Sequence, residues 1–404
     1  MNNRVAIIGG GAAGFFAAIS CKMHAPNARV VLYEKSVKLL AKVKVSGGGR
    51  CNVTNGCQGI STFAAHYPRG EKHLKKAFSQ FNASDTIEWF ESRGVQLKEE
   101  ADGRVFPVTD DSQTIVDCLL NEARKLRIDI QLSAALQAIQ KEGNAFKLRF
   151  KEGTEQFDRV IVATGGSPKP EGFGWLESLG HQVEPPVPSL FTFNMPGQSI
   201  TQLMGVSVPA AVVKIQGTRL MEKGPLLITH WGMSGPAILK TSAWGARLLH
   251  EMNYKFIAHI NWLGLSETEL REMLGQIQTD HPKKKIKNQM PLGLTQRLWE
   301  HFLTTLGIDE DKPWAELSKK SLNRLVEKLG NDQYPVNGKT TFKEEFVTAG
   351  GVKLGEVNFN TMESRVVEGL FFAGEVLDID GITGGFNFQA AWTTGYIAGK
   401  HCLA

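Results

Sequence analysis

Val5–Ala–Ile–Ile–Gly–Gly–Gly–Ala–Ala–Gly14 is the stretch on which the reading of this chain turns. Val5 to Ile8 is a short apolar run, the pattern of a buried strand. Gly9, Gly11 and Gly14 then meet the spacing G-x-G-x-x-G. Phe15 to Met23 continues as an apolar helical segment, and Arg29–Val30–Val31–Leu32–Tyr33 reads as a second strand ending on Glu34, 20 residues beyond Gly14. Strand, glycine turn, helix, strand and acid in that order make a dinucleotide-binding βαβ unit. Gly9 permits the tight turn, Gly11 lets the backbone approach a pyrophosphate, and Gly14 lets helix and strand pack closely. Ala12 and Ala13 open the helix, whose unpaired N–H groups and partial positive charge face that pyrophosphate. Glu34, with Lys35 beside it, can accept hydrogen bonds from both ribose hydroxyls and would repel a 2′-phosphate. The unit therefore favours FAD or NAD over NADP.

The rest of the chain bounds what surrounds this unit. Its 404 residues allow about two to three domains. Hydrophobic and charged fractions of 42% and 22% are those of an ordinary globular protein. Five cysteines (Cys21, Cys51, Cys57, Cys118, Cys402) with no C-x-x-C pair suit a reducing cytoplasm and suggest no metal site. The apolar run Val5–Ser20 resembles a leader, but cleavage there would destroy the glycine turn, so it reads as strand plus buried helix. No other run is long enough to span a bilayer. The net charge of +5 is uneven: through residue 80 there are twelve Lys/Arg against Glu34 and Glu71. That excess is read as a solvated face near a cofactor, with RNA as the alternative partner.

Helical patterns run over 71–94 and 112–126, and strand-like stretches over 128–132 and 145–150. Arg159–Val160–Ile161–Val162–Ala163 is a buried strand that stops on Thr164–Gly165–Gly166. Pro185–Pro186–Val187–Pro188 is read as a domain exit. Strand-like runs at 190–194, 207–216, 225–229 and 254–261 suggest a small antiparallel sheet or barrel, and helical patterns follow at 266–279, 291–306 and 314–329. From 342 the glycine-rich character returns, with a strand at 369–373 and a helix at 388–400. The chain is thus divided as 1–188, an inserted β-rich part 189–263, an inserted helical part 264–341, and 342–404 completing the first domain.

Four motifs carry chemistry. Ser46–Gly47–Gly48–Gly49–Arg50–Cys51–Asn52–Val53–Thr54–Asn55 exposes backbone N–H groups, permits left-handed dihedrals, and surrounds them with short polar side chains; Arg50 can pair with a phosphate. Cys51 is either a redox or acid group beside a flavin or a small packing residue. Ala163–Thr164–Gly165–Gly166 leaves room for a close ligand. Gly374–Glu375 closes a strand, and Gly384–Gly385–Phe386–Asn387 opens the final helix; the acid can hold ribityl hydroxyls and the helix start can face a flavin pyrimidine. Thr229–His230–Trp231–Gly232–Met233–Ser234–Gly235–Pro236 offers His230 as a proton donor or substrate ligand, or else a helix start capped by Ser234.

Together these motifs, with Lys42 before the glycine loop, Thr348–Ala–Gly–Gly–Val352 and Thr361–Met–Glu–Ser364, resemble the BaiN-like flavoproteins, also known as the aminoacetone oxidase family, over nearly the whole chain. The resemblance implies an α/β fold: a Rossmann-type FAD-binding domain with an inserted β-barrel-like subdomain and a three-helix subdomain. It implies FAD held by Gly9, Gly11, Ala12, Ala13, Gly14, Glu34, Lys35, Lys42, Ser46, Gly47, Gly48, Arg50, Cys51, Asn52, Thr54, Asn55, Ala163, Thr164, Gly165, Gly374, Glu375, Gly385, Phe386 and Asn387. The chain departs from the family pattern in a shorter loop at Ser167–Gly174 and in Leu294–Thr295–Gln296–Arg297–Leu298, where Gln296 stands in place of the lysine of the family's Leu-Pro-Lys-Arg-Leu. The expectation is a cytoplasmic FAD-dependent oxidoreductase. It would reduce an activated C=C bond of a small-molecule substrate, with NAD(P)H as transient electron donor and Cys51 or His230 as acid. The alternatives are an amine or aminoketone oxidase using oxygen, and an RNA-binding flavoprotein that reduces uridine.

Overall fold

The computed structural model describes residues 3–340 and 347–404, and the boundary expected at 341/342 lies outside them. The chain divides into two compact units, Met1–Ser189 with Phe342–Ala404, and Leu190–Thr341.

The first unit is built on the βαβ unit. Strand β1 (Arg4–Ile8) runs into helix α1 (Ala12–His24) and strand β2 (Arg29–Tyr33). Further along lie β3 (Arg159–Val162), β4 (Leu370–Phe372) and the long helix α2 (Phe386–His401). The sheet order is Val357–Asn358, Glu363–Ser364, β4, β3, β1, β2, Asp129–Gln131. From β4 to Asp129–Gln131 every pairing is parallel. This explains the unbroken apolar runs: Val5, Ala6, Ile7, Val160, Ile161 and Val162 are all fully buried, as strands covered on both faces must be.

Local chemistry sets three of these boundaries. The segment 71–94 forms two helices, Glu71–Phe78 and Ala83–Glu91, because Asn82 and Asp85 form a capping box that starts the second. The proline cluster at 185–188 stands immediately before the division between the two units at Ser189/Leu190. It lies in strand Val183–Ser189, which pairs on one side with Val347–Val352, and the register shifts between Glu184 and Val187. Pro185 and Pro186 fall at that shift, in a strand with a partner on one side only, where a missing N–H is tolerated. The helix after Thr229–Pro236 is capped by Gly235, not Ser234, with Pro236 in its first turn.

In the second unit, the sheet runs in the order Asp332–Asn337, Lys255–Asn261, Ser207–Ile215, Met221–Thr229, Gly232–Ser234, Thr192–Asn194, Lys339–Thr340. Every pairing is antiparallel. The two end strands are consecutive in sequence, separated only by Gly338. Its N–H donates to the Tyr254 carbonyl and its carbonyl accepts from Asn194 N–H, so the sheet curls back toward its own edge, like a barrel. Strands 332–337 and 339–340 were hidden in a segment read as helical. Helices Glu267–Asp280, Gln296–Leu306 and Lys319–Gly330 share one buried core with the sheet, including Trp262, Trp299 and Trp314.

Candidate cofactor site

The glycines of the first turn divide by function. A side-chain carbon at Gly9 would sit 2.2 Å from the Ala163 carbonyl oxygen, and one at Gly14 would sit 1.9 Å from the Gly9 carbonyl oxygen. Both positions are closed by the protein itself. At Gly11, the residue that caps α1, nothing lies within 4 Å of such a carbon. The open space stands where a pyrophosphate would meet the helix N-terminus. Glu34 turns back to the turn, accepting from Gly10 N–H at 2.9 Å and Ser36 N–H at 2.8 Å. Lys35 beside it is exposed.

Helices α1 and α2 pack side by side in parallel. A carbon on Gly395 would lie 2.5 Å from the Ala13 carbonyl oxygen, and one on Gly399 would lie 2.2 Å from that of Ala17. Only glycine allows that approach. Gly374 closes against the same face: its N–H donates to Thr394 Oγ1 at 2.8 Å, and a side chain there would meet Ala13. Because Gly395 is level with Ala13, α2 begins eight residues further out than α1, about 12 Å along the axis. Two helix N-termini therefore open in the same direction, staggered. Neither carries an acid in its first turn, so both present uncompensated N–H dipoles.

The glycine-rich loop is stitched to the start of α2. Thr54 Oγ1 donates to Gln389 Oε1 at 2.6 Å, Gln389 Nε2 donates to Thr393 Oγ1 at 3.0 Å, and all three residues are buried. Trp392 Nε1 donates to the Val53 carbonyl at 2.9 Å, and Asn55 Nδ2 to that of Gly384 at 3.0 Å. The Asn52 amide, oriented as its neighbours require, donates to Thr54 O and accepts from Gly385 N–H. The Asn387 side chain bonds both N–H and carbonyl of Gly381. Gly47, Gly48 and Gly49 hold φ of 60°, 70° and 85°, and Ser46 Oγ closes the turn by donating to Val43 O. Gly48, Gly49 and Gly165 have nothing within 4 Å of an added carbon. Ala163 N–H donates to Ile8 O at 2.8 Å, which sets Ala163–Thr164–Gly165 beside the first turn. Lys42 Nζ meets Glu375 at 2.7 Å, and the other Glu375 oxygen accepts from Thr348 N–H at 2.8 Å.

Three predicted residues stand differently from a simple ligand role. The Arg50 guanidinium lies 3.9 Å from the Phe106 ring centre and pairs with Glu100 at 2.7 Å and Asp110 at 3.4 Å. Cys51 is fully buried, and that burial pushes its thiol up to about 12. It is a neutral thiol at physiological pH, which matches the packing alternative. His230 belongs to the second unit, exposed, with its ring 4.2 Å from that of Trp231.

The structure also adds residues that no motif spacing picked out. Tyr67 donates to the Phe386 carbonyl at 2.6 Å, and His66 stacks on the buried Phe386 ring at 4.4 Å. Arg69 pairs with the fully buried Asp380, which also accepts from Ser189 Oγ at 2.6 Å. Burial raises the Asp380 carboxyl, opposed by Arg69. Six of the twelve Lys and Arg residues in the first 80 are answered by later acids. Arg4, Arg29, Lys42, Lys44, Arg50 and Arg69 each meet a carboxylate from beyond residue 80. Among the described residues no helix is long and apolar enough to cross a membrane, and no group of three or more His, Cys, Asp or Glu is placed to hold a metal.

The pattern of HI0933-like protein Rossmann domains matches residues 3–401. The chain belongs to that family, whose members are FAD-dependent oxidoreductases. It is 32% identical to the ribosomal RNA dihydrouridine synthase of Escherichia coli, over 98% of this chain and 97% of that one. It is 29% identical to the 3-dehydro-bile acid delta(4,6)-reductase of Clostridium scindens, over 98% of each. Among solved structures it shares the fold of 3-ketosteroid-delta4-(5alpha)-dehydrogenase from Rhodococcus jostii. There the TM-score is 0.53 at 14% identity, covering 99% of this chain and 97% of that one. The open ground above Gly11 and Gly165, the two staggered helix starts and the Glu34 carboxylate fit the pyrophosphate, ring and ribose of FAD.

Proposed function

We propose that this protein reduces a carbon–carbon double bond conjugated to a carbonyl in a small-molecule substrate, with NAD(P)H as electron donor. The observation that carries the reading is the staggered pair of helix N-termini free of acids, one placed for a diphosphate and one for a group that becomes negative. FAD held there supplies hydride chemistry. The residues of this chain do the rest: Glu34 holds ribose hydroxyls, the Gly11 turn receives the diphosphate, and the first turn of α2 offers N–H dipoles to developing charge. Glu375, fixed by Lys42 and Thr348, orients the linker between them. Both curated relatives are named for adding hydrogen across a ring C=C bond, one in a bile acid and one in uridine of ribosomal RNA. The pairing of half of the N-terminal cations supports a small molecule over a polyanion.

The test is anaerobic absorbance of the purified protein with NADH or NADPH, followed by cyclohexenone, a steroid 4-en-3-one, or a uridine-containing ribosomal RNA transcript. Bleaching of the flavin band and its return with an enone is the expected result. Return with the transcript alone, weakened by salt, would overturn the small-molecule reading. A flavin that neither nucleotide bleaches, and that aminoacetone does, would replace the reductase with an oxidase.

A further inference from the structure

We propose that Cys21 and Cys402 are the site of a reversible disulfide that straps the C-terminal ends of α1 and α2 together. Cys21 lies on the last turns of α1 and Cys402 is the residue that caps α2. Their sulfurs stand 3.4 Å apart, with exposures of 0% and 1%, and the Cys402 sulfur also lies 3.3 Å from the Gly399 carbonyl. Among the described residues this is the one sulfur–sulfur contact. A disulfide needs about 2.05 Å, so the sulfurs must close by about 1.3 Å. The helices are already as near as backbones allow, because Gly395 and Gly399 press on Ala13 and Ala17. The strap would sit at the far end of the same two helices whose N-termini form the cofactor site, and it does not depend on the substrate proposed above.

The oxidant is a small disulfide of the glutathione type. The Cys402 thiolate attacks one sulfur of it, releasing one thiol and leaving a mixed disulfide. Cys21 then attacks the Cys402 sulfur and releases the second thiol. The two cysteines lose two electrons, the small disulfide gains them, and both protons leave on the released thiols. The hydrogen bond with Cys21, and then burial, push the Cys402 thiol far up, so the closed helix end holds little thiolate. Exchange therefore proceeds through local opening of the last turn of α2.

Holoprotein equilibrated in glutathione buffers from reduced to oxidised, quenched by alkylation and read by peptide mass spectrometry, tests the site. A linked Cys21–Cys402 peptide, lighter than its parts by two hydrogens, is expected, with Cys51, Cys57 and Cys118 alkylated. The oxidised protein should unfold at a higher temperature, and dithiothreitol should reverse the shift. Cys402→Ser and Cys21→Ser should each abolish both the linked peptide and the shift. Alkylation of both cysteines in the most oxidising buffer would overturn the site, and an unshifted unfolding temperature in the linked protein would overturn the strap.

Discussion

The unit that carries the glycine turn and the unit Leu190–Thr341 bury their side chains by different rules. In the first, burial is full of obligations. Thr54, Gln389, Thr393 and Asp380 are all buried, each with its hydrogen-bond partner, and Gly9, Gly14, Gly395 and Gly399 stand where one more carbon would strike backbone. In the second, burial is mostly bulk. Trp262, Trp299 and Trp314 are fully buried, their indole N–H groups satisfied by Asp332, Ile286 O and Gln289 O. The contrast is one of degree. The inserted unit has its own closed glycine, Gly232, where an added carbon would lie 2.1 Å from the Phe193 carbonyl oxygen, and a buried Asp332 that accepts from Trp262 and Tyr334. Its bulk is nonetheless set by volume, whereas missing atoms and exact partners dominate the cofactor unit.

Substitutions can break or sharpen that contrast. The largest effect belongs to Gly14→Val, whose first carbon would lie 1.9 Å from a carbonyl oxygen. A loss of about 4 kcal/mol or more, read by chemical denaturation, is expected. Gly11→Val, with open space around it, should keep the fold and lose FAD; a stable, fully yellow variant would remove the pyrophosphate from that turn. Trp299→Ala should cost about 3–5 kcal/mol while flavin content per folded molecule stays unchanged, and a drop in flavin content would end the distinction between the two units. Thr54→Val leaves Gln389 Oε1 buried without its donor, and about 1–3 kcal/mol should be lost in the same denaturation assay. Lys42→Met removes a half-exposed ion pair worth about 0–1 kcal/mol, so its effect should appear in FAD affinity by titration rather than in stability.

The smallest effect at neutral pH is that of Cys51, and it grows with alkali. Its thiol moves from 9.0 to about 12 on folding. The folded state thus binds the proton more tightly, and its stability is whole below pH 9 and lost as pH rises toward 12, by about 1.4 kcal/mol per pH unit. Cys51→Ala should flatten that limb relative to the parent protein in pH-resolved denaturation. A parallel loss in both would mean that the thiol ionises freely in the folded protein.

Much of the first unit was legible because its signals are local. A run such as Val5–Ile8, stopped by a glycine turn, reads as a strand covered on both faces, and the spacing of Gly9, Gly11 and Gly14 states its own geometry. The three long helices of the second unit were visible for the same reason, since their apolar periodicity lies within one segment. What escaped notice depended on distant partners or on one residue. Asn82 split a helix whose periodicity looked continuous, and the strand 332–337 was recognisable only by its pairing with Lys255–Asn261. Arg50 seemed available to a phosphate because Glu100, Asp110 and Phe106 are far from the loop motif. Half of the basic residues among the first 80 seemed unanswered because their carboxylates come later.

The sequence by itself determined the dinucleotide turn, the pairing of β1 with β2 in one βαβ unit and the polarity of the helix start, because each follows from residue types at fixed short spacing. Only the tertiary structure decided that α1 and α2 run in parallel with staggered N-termini, that Thr54 meets Gln389, and that Cys21 meets Cys402. Those relations join residues more than 300 positions apart, and they are set by how closely two helices can pack. That distance depends on atoms that Gly395 and Gly399 do not have.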